Sequence, residues 1–245
     1  MQEEYNFVMV KTLDHRIRVA ALRREEMQLH LLFSGLALAS SNSIHELEVE
    51  DIVKHAKVSR GSFYNYFPSI PALYDVLAKQ LMQEFAEMMD ALAPKSLDTA
   101  THLATTMKIF MRLLVDFPML GRFLTQKQWP SPKPDSEIFQ NIIFDVQLGI
   151  KEGSFTNMPA SIGTNIVIGS LIGGVHTMLL EPPALGFETK VTTQVLIGLG
   201  LEARLANKIG KMPLPKTPVF PATGIFGKLA ELDALSDTPA APSGE

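Results

Sequence analysis

The segment EVEDIVKHAKVSRGSFYNYF, Glu48 to Phe67, concentrates side chains able to read a nucleic acid duplex. Arg60 carries a planar fork of donors that matches the O6/N7 edge of guanine. Ser62, Tyr64, Asn65 and Tyr66 add hydroxyl and amide groups for bases or phosphates, and Gly61 lets a backbone come close. Lys54, His55 and Lys57 stand just upstream, where cations meet phosphates. Ser59 is a good N-cap, and Phe63 and Phe67, four residues apart, share the face opposite these groups. Two short helices joined by a tight turn over His55–Ser59 have the length of a helix-turn-helix. The expected DNA-binding set is therefore Lys57, Ser59, Arg60, Gly61, Ser62, Tyr64, Asn65 and Tyr66. Arg60 would read guanine, worth roughly 1–3 kcal/mol of discrimination, while Tyr64 and Tyr66 would hold phosphates.

Helix signals dominate the elements that must position this segment, and no Asn-Gly or Asp-Gly hairpin turn occurs. A first helix is expected from about Asp14, as its cap, to Ala39, with Leu22, Leu29, Leu32, Phe33 and Leu36 as its apolar positions. The pair of the motif follows at 48–56 and 60–67. Ser69 caps the next helix, whose Leu73, Leu77, Leu81 and Phe85 stripe runs to about Ala93. Further helices are expected at 97–116, 118–128, 136–152, 160–180 and 187–209, punctuated by prolines at 130–134 and at Pro182-Pro183. After Lys211 the chain turns Pro-rich, and 212–245 reads as a largely disordered tail around one amphipathic run, Ile225 to Leu235. The fold class is all-α.

Asp51-Ile52, Ala56, Val58-Ser59, Gly61, Phe63-Tyr64, Tyr66-Phe67, Ser69 and Leu73 together resemble the N-terminal DNA-binding domain of the TetR family of bacterial transcriptional regulators. The resemblance spans about residues 22–85. It implies an N-terminal arm and start of the first helix at 1–21, a helix-turn-helix domain at 22–85 and a helical ligand-binding and dimerisation domain at 86–211. Several positions depart from the family pattern. Ser43 stands where a loop Gly is usual, beside Asn42; Leu47 and Glu48 replace the Thr pair that opens the second helix; Lys57 replaces a turn Gly. Ile70 replaces the Lys that commonly opens the fourth helix, which predicts a salt slope shallower by about one. Lys11, Arg16, Arg18, Arg23 and Arg24 supply a basic patch that, by the resemblance, serves as a minor-groove arm.

The same resemblance implies a pocket between the middle helices. Phe110, Met111, Phe117, Phe123, Trp129, Phe139 and Phe144 are its expected walls, with Arg112, Arg122 and His176 as polar anchors. The small residues Gly169, Ser170, Gly173 and Gly174, with Val191, Leu196, Leu199 and Leu205, would suit a two-fold four-helix dimer interface.

Composition narrows the alternatives. The 245 residues carry a formal charge of −4 and no cysteine, which disfavours a bulk polyanion binder and excludes disulfides, thiolate metal sites and a Cys nucleophile. The six histidines show no paired metal spacing, and there is no G-x-S-x-G elbow or Walker loop. Gly198-Leu199-Gly200-Leu201-Glu202-Ala203 matches a dinucleotide-binding G-x-G-x-x-A, but Pro218 and Pro221 follow where a βαβ unit should. Gly153–Leu180 lacks charged residues, yet its Asn, Ser, Thr and His residues argue for a buried soluble helix over a membrane span. The expectation is a cytoplasmic, homodimeric, non-enzymatic regulator without cofactor or metal. Its partners would be an operator in double-stranded DNA and a small hydrophobic effector, with no membrane. Two alternatives stand beside it: a ligand-independent regulator whose pocket its own side chains fill, and a helical carrier or enzyme.

Overall fold

The computed structural model describes residues 2–41, 46–93, 97–125, 137–181, 185–214 and 223–236. Among them are eleven helices and no strand: α1 Gln2–Ser41, α2 Val49–Ala56, α3 Arg60–Tyr64, α4 Ile70–Leu92, α5 Thr99–Asp116, α6 Pro118–Thr125, α7 Glu137–Lys151, α8 Ala160–Leu180, α9 Phe187–Gly198, α10 Ala203–Gly210 and α11 Gly224–Ser236. Local chemistry starts them where side chains can absorb orphan N–H groups. Ser69 accepts from the Ala72 N–H at 3.3 Å, Asp98 from the Thr101 N–H at 3.0 Å and Glu202 from the Arg204 N–H at 3.0 Å. At α2 the Glu48 N–H donates back to Asp51 Oδ2 at 2.9 Å, an acidic cap where the helix dipole favours anions.

Three expectations are corrected here. First, α1 does not begin at Asp14; it runs from Gln2, because no Gly or Pro interrupts Gln2–Phe33, so Asp14 lies inside the helix and the stretch expected as an arm is helical. From Arg18 onward, its first buried positions are Leu31 and Leu32, and Leu22 is 52% exposed. Second, the helix expected at 187–209 is two helices. At the break Gly200 adopts φ +99°, and a Cβ there would strike Thr156, whose N–H donates to the Leu199 carbonyl at 2.8 Å. The G-x-G-x-x-A match is thus a helix break with a close chain crossing. Third, part of the tail is ordered: α11 packs on α4 and α1 through buried Ile225, Phe226 and Leu229. The Glu84 carboxylate of α4 accepts the Ile225 and Phe226 N–H groups, each at 3.0 Å, so a carboxylate caps the N-terminus of α11.

The core is continuous from the motif to the C-terminal helices. Within it α6 packs against α1 and α8, and Tyr74 of α4 meets Phe123 of α6 at 5.9 Å between ring centroids. Among the described residues α8 alone is long and apolar enough to cross a membrane. It packs on α5, α6, α7 and α9, and buries Gly163, Thr164, Val167, Leu171, Gly174, Val175 and Met178 at helical spacing.

Candidate DNA interface and effector cavity

The motif is assembled from its caps and its aromatic core. Ser59 Oγ accepts the Ser62 N–H at 3.0 Å and lies 2.9 Å from the Ser62 hydroxyl, which starts α3. Phe63 is fully buried and meets Tyr64 edge-on at 5.5 Å and Phe67 at 5.9 Å. The helix expected to reach Phe67 ends at Tyr64. Phe67 precedes Pro68, which disfavours helical backbone at Phe67, and the Tyr66 and Phe67 N–H groups both donate to the Phe63 carbonyl at 2.9 Å. Asn65 and Tyr66 therefore lie in a turn. Asn65 is exposed, whereas Tyr66 is half-buried beside Phe67, with the Arg24 guanidinium 5.3 Å from its ring centroid. Arg24 thus ties α1 to the motif by a cation–π contact.

Arg60 projects from the solvent side of α3. Its guanidinium pairs with the Glu50 carboxylate of α2, donates to the Tyr64 hydroxyl at 3.5 Å and stands 5.8 Å from the Tyr64 ring centroid. The Tyr64 hydrogen bond, and then the Glu50 charge, raise its pKa still further above the ordinary arginine value. Gly61 and Tyr64 are exposed around it and Ser62 is half-buried. Lys57 closes α2 in the left-handed region at φ 54°, the conformation a Gly would adopt at lower cost, and leaves its side chain exposed. The Val58 N–H donates to the Val53 carbonyl at 3.0 Å, and His30 Nε2 lies 2.8 Å from the Ala56 carbonyl, which anchors this turn to α1. Ile70, in the place of the expected cation, packs against the core. Asn42 and Ser43 lie outside the described residues.

The second feature is a cavity of about 510 Å³ walled by α4, α5, α7 and α8. From α4 come Phe85, Ala86 and Met89; from α5 Thr99, His102, Leu103, Thr106, Met107 and Phe110; from α7 Asn141, Ile142, Phe144, Asp145 and Leu148; from α8 Val167 and Leu171; Leu97 closes one side. Phe85 and Phe110 meet edge to face at 4.8 Å. His102 Nδ1 lies 3.4 Å from Asp145 Oδ2, and the Thr99 hydroxyl donates to Glu152 at 2.6 Å.

Of the expected pocket residues, Phe110 and Phe144 line this cavity. Met111, Phe117 and Phe123 stand elsewhere, and the Phe139 side chain lies outside the described residues. Met111 faces Gly174 of α8, Phe117 is buried at the end of α5, and Phe123 packs on Tyr74. Met111 lies about 100° round α5 from Phe110, which here turns it from the cavity to the α8 contact. His176 sits on the exposed side of α8, Arg112 is near Asp116 at 3.7 Å and Arg122 is exposed, so none of the three anchors lines the cavity. Trp129 lies outside the described residues. The residues that sequence reasoning missed, His102, Asp145, Thr106 and Asn141, recur on α5 and α7 at helical spacing. That periodicity was visible, but nothing in it told a cavity wall from a packed core.

The expected dimer residues also divide. Gly169 and Gly173 are exposed, with open space where a Cβ would stand. Leu196 and Leu199 are fully buried, and Leu199 packs toward Gly163 of α8. They belong to the core of the protomer rather than to its surface.

A short helix with an apolar root and an exposed Arg–Tyr tip, set before a helical domain with a partly open cavity, has the form of a helix-turn-helix joined to an all-helical domain. Residues 31–77 match the family model of bacterial regulatory proteins of the tetR family. That match is confined to the N-terminal segment holding the end of α1, α2, α3 and the start of α4. Solved structures agree on the fold. RolR in complex with resorcinol superposes with a TM-score of 0.64 at 24% identity, covering 80% of this chain and 98% of its own. FadR from Bacillus subtilis with stearoyl-CoA gives 0.57 at 18% identity, covering 69% and 96%. A TetR-family regulator from Haemophilus influenzae gives 0.58 at 14% identity, covering 71% and 97%. No curated protein matches the sequence.

Proposed function

We propose that the chain is a sequence-specific repressor that binds an operator as a homodimer and is released by a small ligand in the α4–α5–α7–α8 cavity. The observation that carries the DNA reading is the Arg60–Tyr64 face of α3, exposed over a buried Phe63 inside the family's DNA-binding domain. Arg60 reads guanine, while Ser59, Gly61, Ser62, Tyr64, Asn65, Tyr66 and Lys57 form the surrounding contact surface. The uncharged outer face of α8, with exposed Ile162, Gly169, Gly173 and Leu180, is the proposed dimer contact. A two-fold dimer would set half-sites about one helical turn apart.

The unfilled cavity favours a ligand-responsive regulator over one with a self-filled pocket. Two of the similar folds are complexes with small or acyl ligands, RolR with resorcinol and FadR with stearoyl-CoA, which supports the same reading. The reading makes the chain a cytoplasmic regulator, not an enzyme. A ligand acts only through its differential affinity for DNA-competent and DNA-incompetent conformers. Fluorescence anisotropy against the DNA upstream of its own gene, beside random DNA and Arg60→Ala, tests the proposal. Binding about a thousandfold tighter than to random DNA, lost in Arg60→Ala, is the expected result. Equal weak binding to every duplex would overturn it.

A further inference from the structure

We propose that the cavity takes an uncharged aromatic ligand of two or three rings bearing a hydroxyl group, and that Asp145, paired with His102, accepts the hydroxyl proton in a hydrogen bond. This rests on the reading of the cavity as the effector site. Size comes first. An apolar protein cavity of roughly 150 Å³ accommodates benzene, and this one holds about 510 Å³. Its walls suit flat rings, with Phe85 and Phe110 edge to face at 4.8 Å and Met89 and Met107 as adaptable sulfur contacts.

Charge decides the ligand's polar group. With Asp145 ionised, the Asp145–His102 pair, 3.4 Å apart, carries −1 or zero charge according to whether His102 holds a proton. Glu152, which accepts from the lining Thr99 at 2.6 Å, adds a second carboxylate behind the wall. No Lys or Arg occurs among the described lining residues. Nearby Lys108 is turned away, its ammonium donating to the Gly210 carbonyl at 3.0 Å and to that of Met212, and Arg112 lies beside Asp116. A carboxylate or phosphate would therefore enter a largely apolar space without a counter-charge, the costly case for burial. A hydroxyl brings a donor to a carboxylate that can accept it. Where His102 carries a proton it neutralises Asp145, which removes the demand for an ammonium ligand.

The test uses the full chain in thermal melting and calorimetry with four probes on one bicyclic scaffold: 2-naphthol, naphthalene, 2-naphthoate and 2-naphthylmethylammonium. 2-Naphthol is expected to bind tightest, at least about tenfold over naphthalene, with 2-naphthoate giving no shift. In Asp145→Leu the advantage of 2-naphthol over naphthalene should fall to within about twofold, with naphthalene binding retained as the sign of an intact cavity. Should that variant not fold, the isosteric Asp145→Asn is read instead, and there 2-naphthoate should approach naphthalene. Tighter binding of the naphthoate or the ammonium, or a 2-naphthol advantage that survives Asp145→Leu, would overturn the ligand class and leave the cavity as an effector site. If none of the probes binds, this ligand class falls, while the effector-site reading falls only if occluding the cavity by Thr106→Trp leaves release from DNA unchanged.

Discussion

The helix-turn-helix and the cavity domain are built by opposite use of the interior. In the motif Ile52, Phe63 and Leu73 are fully buried, the inside is filled, and the groups that would meet DNA point outward from α2, α3 and the turns beside them. In the second domain an inside volume is left open, and the polar groups of α5 and α7 point into it. A reading surface must hold Arg60 in register with base edges, and close packing supplies that stiffness. A ligand site must instead leave room and tolerate repacking, so a Met- and Phe-lined space serves better. One helix joins the two regimes. The first turns of α4 put Leu73, Tyr74 and Leu77 into the motif's core, and its later turns put Phe85 and Met89 into the cavity wall. A bound ligand that displaces Phe85 would act on the same rigid element that carries the motif.

The contrast can be broken most sharply in the cores. Phe63→Ala should cost about 3–5 kcal/mol and abolish DNA binding, whereas Phe144→Ala, at a residue 61% exposed at the cavity, should change the melting temperature little and leave DNA affinity intact. Equal losses in a melting curve would show that the two regions are packed alike. Glu50→Gln tests the outward groups next. Arg60 must leave Glu50 to reach a base, so removing that charge should tighten DNA binding roughly two- to fivefold in anisotropy. Weaker binding would mean that Glu50 positions Arg60 instead of competing for it.

Lys57→Gly separates backbone from charge at one residue. Relief of the left-handed φ of 54° should stabilise the chain by about 0.5–1 kcal/mol in chemical denaturation. The lost cation should make the slope of log affinity against log salt shallower by about one. An unchanged salt slope would mean that Lys57 makes no phosphate contact. The smallest effect concerns Tyr74, whose hydroxyl donates to the Gly35 carbonyl at 3.3 Å. Burial raises its pKa well above the ordinary tyrosine value. Above about pH 10 the unfolded chain releases this proton while the folded chain keeps it, so stability falls as pH rises further. Tyr74→Phe should flatten that decline, and an unchanged alkaline limb would remove Tyr74 as its cause.

Most of the helix plan was legible because its signals are local. Ser59, Ser69 and Asp98 cap helices within three residues of their partners, and Pro68 ends the motif. The failures are equally physical. The start of α1 was misplaced because Asp14 is a good cap that the uninterrupted helix before it leaves no reason to use. The end of α3 was placed too late because the restriction from Pro68 outweighed the helical spacing of Phe63 and Phe67. Gly200 was noticed as part of a motif, yet its cause, the approach of Thr156, lies over forty residues away in the chain.

The sequence by itself determined the all-helical class, the helix-turn-helix and the exposed Arg60 face, because capping, periodicity and a short turn act over a few residues. Only the tertiary structure decided which apolar side chains enclose space and which fill it. Phe110 lines the cavity while Met111 fills the α5–α8 contact, and Leu196 is core while Gly173 faces solvent. Burial is a property of what the other helices bring to a face, and a helix in isolation presents the same apolar stripe to a wall, a neighbour or a second protomer.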